Sequence, residues 1–177
     1  MKNKRMFYLG EYGKLDFYRY KPSLTRPYFS DYPKAAHPPY EKRWVHKIRM
    51  MTEYLRGGYD VFYIVRDNDV LGHIVVAPGG RRVKLSKKDD IVVGPIYISP
   101  SERGKGVGTA AIRVVLDELG LKYSYAYEFI AADNVASLRT AEKNGYILVG
   151  RAKERGVMKN LVESPNGDYL IYRYAKK

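Results

Sequence analysis

Apolar and polar positions along the chain follow two periods, and the switches between them mark the elements. Short apolar-aromatic runs at Met6–Leu9 and Leu15–Tyr20, with Gly10 and Gly13 between them, predict a strand or hairpin at a sheet edge. Asp60–Arg66 and Val70–Ala77 flank Asp67-Asn68-Asp69 and read as a second hairpin. Asp90–Ser99 is a strand interrupted by Gly94-Pro95, which implies a bulge or a missing ladder bond. Tyr125–Ala132, Tyr146–Arg151 and Asp168–Tyr174 are further strands, with a turn at Ser164-Pro165-Asn166-Gly167 between the last two.

The helical period appears three times. Over residues 41–56, Trp44, Ile48, Met51 and Leu55 fall at i, i+4, i+7 and i+11, which predicts a buried stripe. Lys42, Arg43, Lys47 and Arg49 take the solvated side, and Gly57-Gly58 ends the helix. A second helix runs from about Lys105 to Leu119, with Val107, Ala111, Val114 and Leu119 on its inner face and Gly120 as its stop. A short third helix, Val135–Asn144, starts at Asp133-Asn134 and closes at Gly145. Residues 21–40 do neither: Pro22, Pro27, Pro33, Pro38 and Pro39 rule out a continuous helix or central strand. With Tyr28, Phe29, Tyr32 and Tyr40 among them, they read as a flap over a site or a loop pinned by its aromatics. The fold class is therefore α/β: a mixed, mostly antiparallel sheet of about seven strands with about four helices, in a single domain over residues 1–177.

Composition narrows the chemistry. There are no cysteines, which excludes disulfides, thiolate metal sites and a cysteine nucleophile. His37, His46 and His73 are scattered, so no metal site is expected. No apolar run is long enough for a membrane span or a secretion signal, and the expected location is the cytoplasm, as monomer or homodimer. The net charge of +13 points to an anionic partner, an acidic acceptor or RNA, or simply to a soluble basic surface. Arg81, Arg82, Lys84, Lys87 and Lys88 form a basic patch, read as a solvated hairpin end. The 18 tyrosines offer stacking surfaces or strand positions with the hydroxyl at the surface.

The richest stretch is Pro95–Gly120, where a strand passes through Arg103-Gly104-Lys105-Gly106-Val107-Gly108 into a helix. Glycines let the backbone adopt positive φ and approach a ligand. The first amides of a helix lack internal partners and carry the positive end of its dipole, so such a unit suits phosphate groups. Arg103 and Lys105 add charge there. The nucleotide P-loop spacing is absent. The dinucleotide fingerprint is formally met by Gly106, Gly108 and Ala111, with Glu128 near the place of a ribose-binding acid, but Pro100–Lys105 separate the strand from the glycines. The third pattern is R/Q-x-x-G-x-G/A. A second stretch, Asn134 to Tyr146, matches N-x-x-A/S-x-x-x-x-E-K-x-G-F/Y at Asn134, Ser137, Glu142, Lys143, Gly145 and Tyr146.

Together the two patterns resemble the GCN5-related N-acetyltransferases, closest to the branch with ribosomal-protein and small-amine acetyltransferases. The resemblance covers roughly residues 60–151. It implies acetyl-CoA as cosubstrate and transfer of its acetyl group to a small-molecule or peptide amine. It implies that the strand at 90–99 diverges from that at 125–132 and that backbone groups around Ile96, Ile98 and Ser99 pair with the pantetheine arm. It places the pyrophosphate on the amides of Arg103, Gly104, Lys105, Gly106, Val107, Gly108 and Thr109, with Asn134, Ser137 and Lys143 as further cofactor contacts. A preset N–H aimed at the developing oxyanion lowers the barrier to amine attack.

Two departures stand out. The tyrosine that protonates the departing thiolate in many relatives is replaced by Ala141, and the carboxylate base on the strand before the glycines is replaced by Gly94 and Pro95. Glu128 is one place from another known base position, and Tyr97, Tyr127 or water are alternative proton relays. A thiol of pKa ~8.5 leaves tolerably without an acid. An α-amine of pKa ~7.7 is roughly 17% neutral at pH 7 and a lysine only ~0.04%, which points to a low-pKa acceptor such as a peptide N-terminus or an amino sugar. A catalytically weak acyl-CoA-binding sensor and a tRNA-directed acetyltransferase are the competing functions.

Overall fold

The computed structural model describes residues 5–27, 43–80, 85–156 and 160–176. The elements are β1 (Met6–Tyr12), β2 (Leu15–Tyr20), α1 (Arg43–Leu55), β3 (Asp60–Arg66), β4 (Asp69–Pro78), β5 (Ile91–Ile98), a 3₁₀ turn (Pro100–Glu102), α2 (Val107–Arg113), β6 (Tyr125–Ala131), α3 (Val135–Lys143), β7 (Ile147–Arg155), β8 (Asn160–Glu163) and β9 (Tyr169–Ala175). The strand order is β1-β2-β3-β4-β5-β6-β9-β7-β8, nine strands rather than about seven, and β5–β6 is a parallel pair among antiparallel ones. The described residues hold three helices besides the 3₁₀ turn and a π turn. No helix among them is long and apolar enough to cross a membrane. The expected flap at 21–40 lies outside the described residues beyond Pro27, as do Arg81, Arg82 and Lys84 of the basic patch.

The chain forms two compact units, and β5 contributes to both: Met1–Ala77 with Pro95–Val107, and Pro78–Gly94 with Gly108–Lys177. In the first unit, β1–β4 form a meander whose core gathers Tyr20, Val61, Tyr63 and Val75 with Tyr59 and Met50 of α1. The β3–β4 turn is as predicted: Asp67 and Asn68 take φ of 50° and 68°, the left-handed geometry that matches strand twist. One row of side chains crosses this sheet in register. Tyr8 faces Tyr18, Tyr18 faces Tyr63, and Tyr63 faces His73.

The predicted buried stripe of α1 is corrected. Trp44, Ile48 and Leu55 are 63%, 54% and 71% exposed, whereas Met50 is buried and Tyr54 packs beside it. Two apolar stripes share this helix, because Met50 and Met51 are adjacent. The tyrosine-rich sheet face takes the i, i+4 pair Met50–Tyr54.

In the second unit, successive β6 residues point to opposite faces. Tyr127 packs with Val92, Ala152, Leu161 and Ile171. Ala126, Glu128 and Ile130 share the other face with Tyr172 and Tyr174 of β9. That face carries the helices: Tyr172 Oη donates to Glu142 Oε1 of α3 at 2.9 Å, and Tyr174 Oη to Asp117 Oδ1 at 2.7 Å. Asp117 lies in a π turn, Val114–Glu118, closed by Leu119 N donating to Val114 O at 3.1 Å. The helix read as regular to Leu119 therefore widens in its last turn. Val114, Val115 and Leu116 are all buried, while Leu119 is only half-buried.

Beyond Arg151, where the predicted strand stops, β7 extends to Arg155 and pairs with β8 from Ala152–Glu163 to Arg155–Asn160. The 164–167 turn is as expected, with Gly167 N donating to Ser164 O at 3.0 Å.

β4 and β5 approach so closely at Gly72 that an added Cβ would stand 2.2 Å from Tyr97 O. Gly72→Ala is expected to cost roughly 1–3 kcal/mol through forced strand separation, read as a lowered midpoint in urea. An unchanged midpoint would show that the strands yield freely.

Candidate active site

The first unit carries the glycine turn. After β5, Pro100–Glu102 forms one 3₁₀ turn, with Glu102 N donating to Ser99 O at 2.9 Å. Gly104 and Gly106 then take φ of 77° and 80°, and the space where their Cβ atoms would stand is open. These glycines are required by backbone conformation and by approach from outside, not by packing. Arg103, Gly104, Lys105 and Gly106 are exposed, while the Val107 side chain is buried and anchors the start of α2. Bare amides at the head of a helix, with open space before them, fit a diphosphate.

The two cations assigned to the phosphate have other partners here. Arg103 folds back on β5: its Nε donates to Ile98 O at 3.0 Å and its guanidinium lies over the Tyr97 ring at 5.9 Å. The Tyr97 ring also stacks with His73 at 5.8 Å with 17° between planes, so this predicted relay contacts both an imidazole and a guanidinium. Lys105 Nζ pairs with Glu102 Oε1 at 3.1 Å, and Arg66 Nη1 takes Glu102 Oε2 at 3.1 Å. These cations hold the carboxyl of Glu102 below its ordinary range, the Lys105 hydrogen bond most of all. Sequence reasoning gave Glu102 and Arg66 no role. The 36-residue separation hides their pairing from any local pattern.

Ile96, Tyr97, Ile98 and Ser99 are half-buried at the end of β5. The Ser99 amide donates to Leu71 O at 2.7 Å and Ile98 O accepts from Arg103 Nε, so neither of these two groups is left for a ligand.

The second unit holds the rest. Gly108 and Thr109, half-buried, continue α2. Asn134 caps α3, its Oδ1 accepting from Ser137 N at 3.2 Å, so its Nδ2 is the group left for a ligand. Lys143 is exposed in the last turn of α3. Ala141, where relatives place a tyrosine, is 0% exposed, and its carbonyl accepts from Asn144 N and Tyr146 N.

Glu128 and Tyr127 point to opposite faces of β6, so they do not serve one site together. Burial raises the Tyr127 phenol, packed in its apolar cluster. Glu128 is 3% exposed, and desolvation pushes its carboxyl from 4.5 up to about 7. The Tyr146 phenol lies close enough to favour the charged form slightly, yet no hydrogen bond closes between them. Glu128 Oε1 and Tyr146 Oη have no hydrogen-bond partner among the described residues. Tyr146 is itself buried, its ring 5.6 Å from that of Tyr174, and its phenol is pushed well above its usual range by desolvation, then by Glu128. The motif pointed to Tyr146, but nothing in the spacing tied it to Glu128.

The profile of the Acetyltransferase (GNAT) family matches residues 19–146. The chain belongs to this family. No protein of curated function matches it in sequence. Among solved structures, a protein of the GNAT family from Desulfovibrio desulfuricans is 14% identical, with TM-score 0.62 over 92% of this chain and 99% of that one. The spermidine N-acetyltransferase of Vibrio cholerae in complex with CoA and spermine is 17% identical, with TM-score 0.55 over 79% of each chain. The ribosomal-protein-alanine N-acetyltransferase of Brucella melitensis is 19% identical, with TM-score 0.53 over 76% and 79%. Acetyl-CoA is the cosubstrate of this GNAT chain, and the glycine turn has the open, unpartnered backbone that its diphosphate needs.

Glu128 makes the fold pH-dependent in a definite direction. Its folded pKa lies above the unfolded value, so the folded state holds the proton more tightly and loses stability as pH rises from 4.5 to about 7. The loss is roughly 3 kcal/mol, constant above that window. Glu128→Gln removes it. The stability difference between variant and wild type, from urea unfolding, is expected to move in the variant's favour by that amount between pH 4.5 and pH 8. A difference flat across this range would place the carboxylate in water.

Proposed function

We propose that the chain transfers the acetyl group of acetyl-CoA to a primary amine of low pKa, such as a peptide N-terminus or an amino sugar, by direct attack with both substrates bound. The observation that carries this reading is the glycine turn, with positive φ at Gly104 and Gly106 and open space in front of both. Acetyl-CoA supplies an activated acyl group. The amides of residues 104–109 hold its diphosphate, Arg103 N being engaged with Pro100 O, the backbone of Ile96–Ile98 runs beside its pantetheine arm, and Asn134 Nδ2 bonds that arm.

Glu128 is the proton acceptor in this reading. A carboxylate of pKa about 7 takes a proton from an α-ammonium of pKa ~7.7 at a cost of roughly 1 kcal/mol. From a lysine of pKa ~10.4 the cost is roughly 5 kcal/mol. That difference is the physical reason to favour weakly basic acceptors. The N-acetyltransferase names of two structural neighbours, one for a ribosomal-protein alanine and one for spermidine, support an amine as acceptor. Tyr97, in contact with His73 and Arg103, is a relay for the last proton.

One observation favours a second reading. Ala141 is fully buried where relatives carry an acid, which suits a domain that binds acyl-CoA and senses it without turnover.

Thiol release from acetyl-CoA with a panel of amines separates these readings. Peptide N-termini and amino sugars are expected to react at least about tenfold faster in kcat/KM than Nα-blocked lysine or alkyl polyamines, and Glu128→Gln to lower kcat by roughly 10²–10⁴. Fastest reaction with lysine or polyamines would overturn the low-pKa acceptor. Binding of acetyl-CoA with no thiol release from any amine would favour the sensor.

A further inference from the structure

The turn that carries the bare amides has almost nothing packed against it. Residues 103–106 are exposed, and open space surrounds the missing Cβ positions of Gly104 and Gly106. Two glycines in left-handed backbone also cost more conformational entropy to fix than any other residue would. Something other than apolar contact therefore holds these amides in one arrangement.

Two polar ties of the turn run through one residue. Glu102 closes the 3₁₀ turn immediately before the glycines, and its side chain is only 12% exposed although it stands among exposed neighbours. Each carboxylate oxygen takes a different cation. Oε2 accepts from Arg66 at the end of β3, and Oε1 accepts from Lys105, which sits between the two glycines. The first tie fastens the turn to the β3–β4 hairpin across 36 residues, and the second closes the turn on itself. Arg103 adds a third tie, to Ile98 O. We propose that Glu102 is the positioning residue of the acetyl-CoA turn: tied to Arg66 and Lys105, its carboxylate presets the amides of residues 104–107 for the diphosphate.

A carboxylate beside an anion site is otherwise a liability, since like charges repel. Here Arg66 and Lys105 each bring a positive charge to it, and the three side chains together carry a net charge of +1. Arg66 and Lys105 hold different oxygens of Glu102, so either cation alone still neutralises the carboxylate. The opposite sign of effect is thus a real alternative: if Glu102 acts mainly as a repelling charge, its removal tightens binding.

The inference takes acetyl-CoA as cosubstrate but needs no acceptor, so it is tested by binding alone. Calorimetric affinity for CoA is measured for wild type, Glu102→Ala, Glu102→Gln, Arg66→Ala and the double variant Arg66→Ala/Glu102→Ala. Each single alanine variant is expected to weaken binding roughly three- to tenfold. The double variant is expected to be no weaker than the worse single one, because both remove the same tie. Glu102→Asp is expected to recover part of the loss, and Glu102→Gln to fall between wild type and Glu102→Ala. Hydrogen exchange at the amides of residues 104–107 is expected to quicken in both alanine variants while the thermal midpoint stays within a few degrees of wild type. Unchanged affinity, tighter binding, or independent addition of the two losses would each overturn the positioning role. So would a loss of affinity that tracks a lowered midpoint with exchange at residues 104–107 unaltered. Failure of wild type to bind CoA would instead remove the cosubstrate itself.

Discussion

A chain that presents bare backbone N–H groups to a dianion must hold them still without covering them. Packing is the usual way to fix a backbone, and here it is unavailable, because any group packed over the amides would stand where the ligand belongs. The structure solves this at both ends of the turn. Val107 drives the start of α2 into the core, and Arg103 and Glu102 tether the other end to strand carbonyl and hairpin side chain. Between them only Gly104, Lys105 and Gly106 remain open, and positive φ aims their backbone. The close approach of β4 to β5 at Gly72 and the Ser99–Leu71 bond belong to the same constraint, because they fix the strand end from which the turn departs.

The second unit faces the opposite difficulty. Where the turn is exposed and polar, Glu128 is a buried charge-capable group whose Oε1 has no hydrogen-bond partner among the described residues. Desolvation raises its pKa to about 7, the range useful to a proton acceptor near neutrality, and makes the native state pay for it in stability. Tyr146 shares that burial without relieving it. Buried polar atoms left unpaired are uncommon in folded proteins, and when a titratable pair carries them function is the natural reason.

Much of this was legible in the sequence, for identifiable reasons. Asp67-Asn68 specifies its hairpin because few residue pairs tolerate left-handed backbone. Asn134 and Gly145 bracket α3 because caps are local chemistry. The glycine turn was legible because its constraint is written in residues that lack a side chain. What the pattern did not show is whatever depends on a distant partner. The stripe Trp44–Ile48–Leu55 has helical period, but the sheet chose Met50 and Tyr54. β8 is a four-residue strand whose existence depends on β7 beside it. The π turn at Val114–Glu118 follows from fitting three consecutive apolar side chains under one face. The role of Glu102 depends on Arg66, and the strain on Glu128 on a burial that strand alternation alone does not reveal.

The central claim is that open backbone amides at residues 104–107 hold the diphosphate of acetyl-CoA. Backbone amide resonances of Gly104 and Gly106, followed by NMR as CoA is added, test it most directly. The account predicts large downfield proton shifts at these glycines that saturate with the ligand and are reproduced by the diphosphate-bearing half of CoA but not by pantetheine. Glycine resonances that stay in place while CoA binds would contradict it.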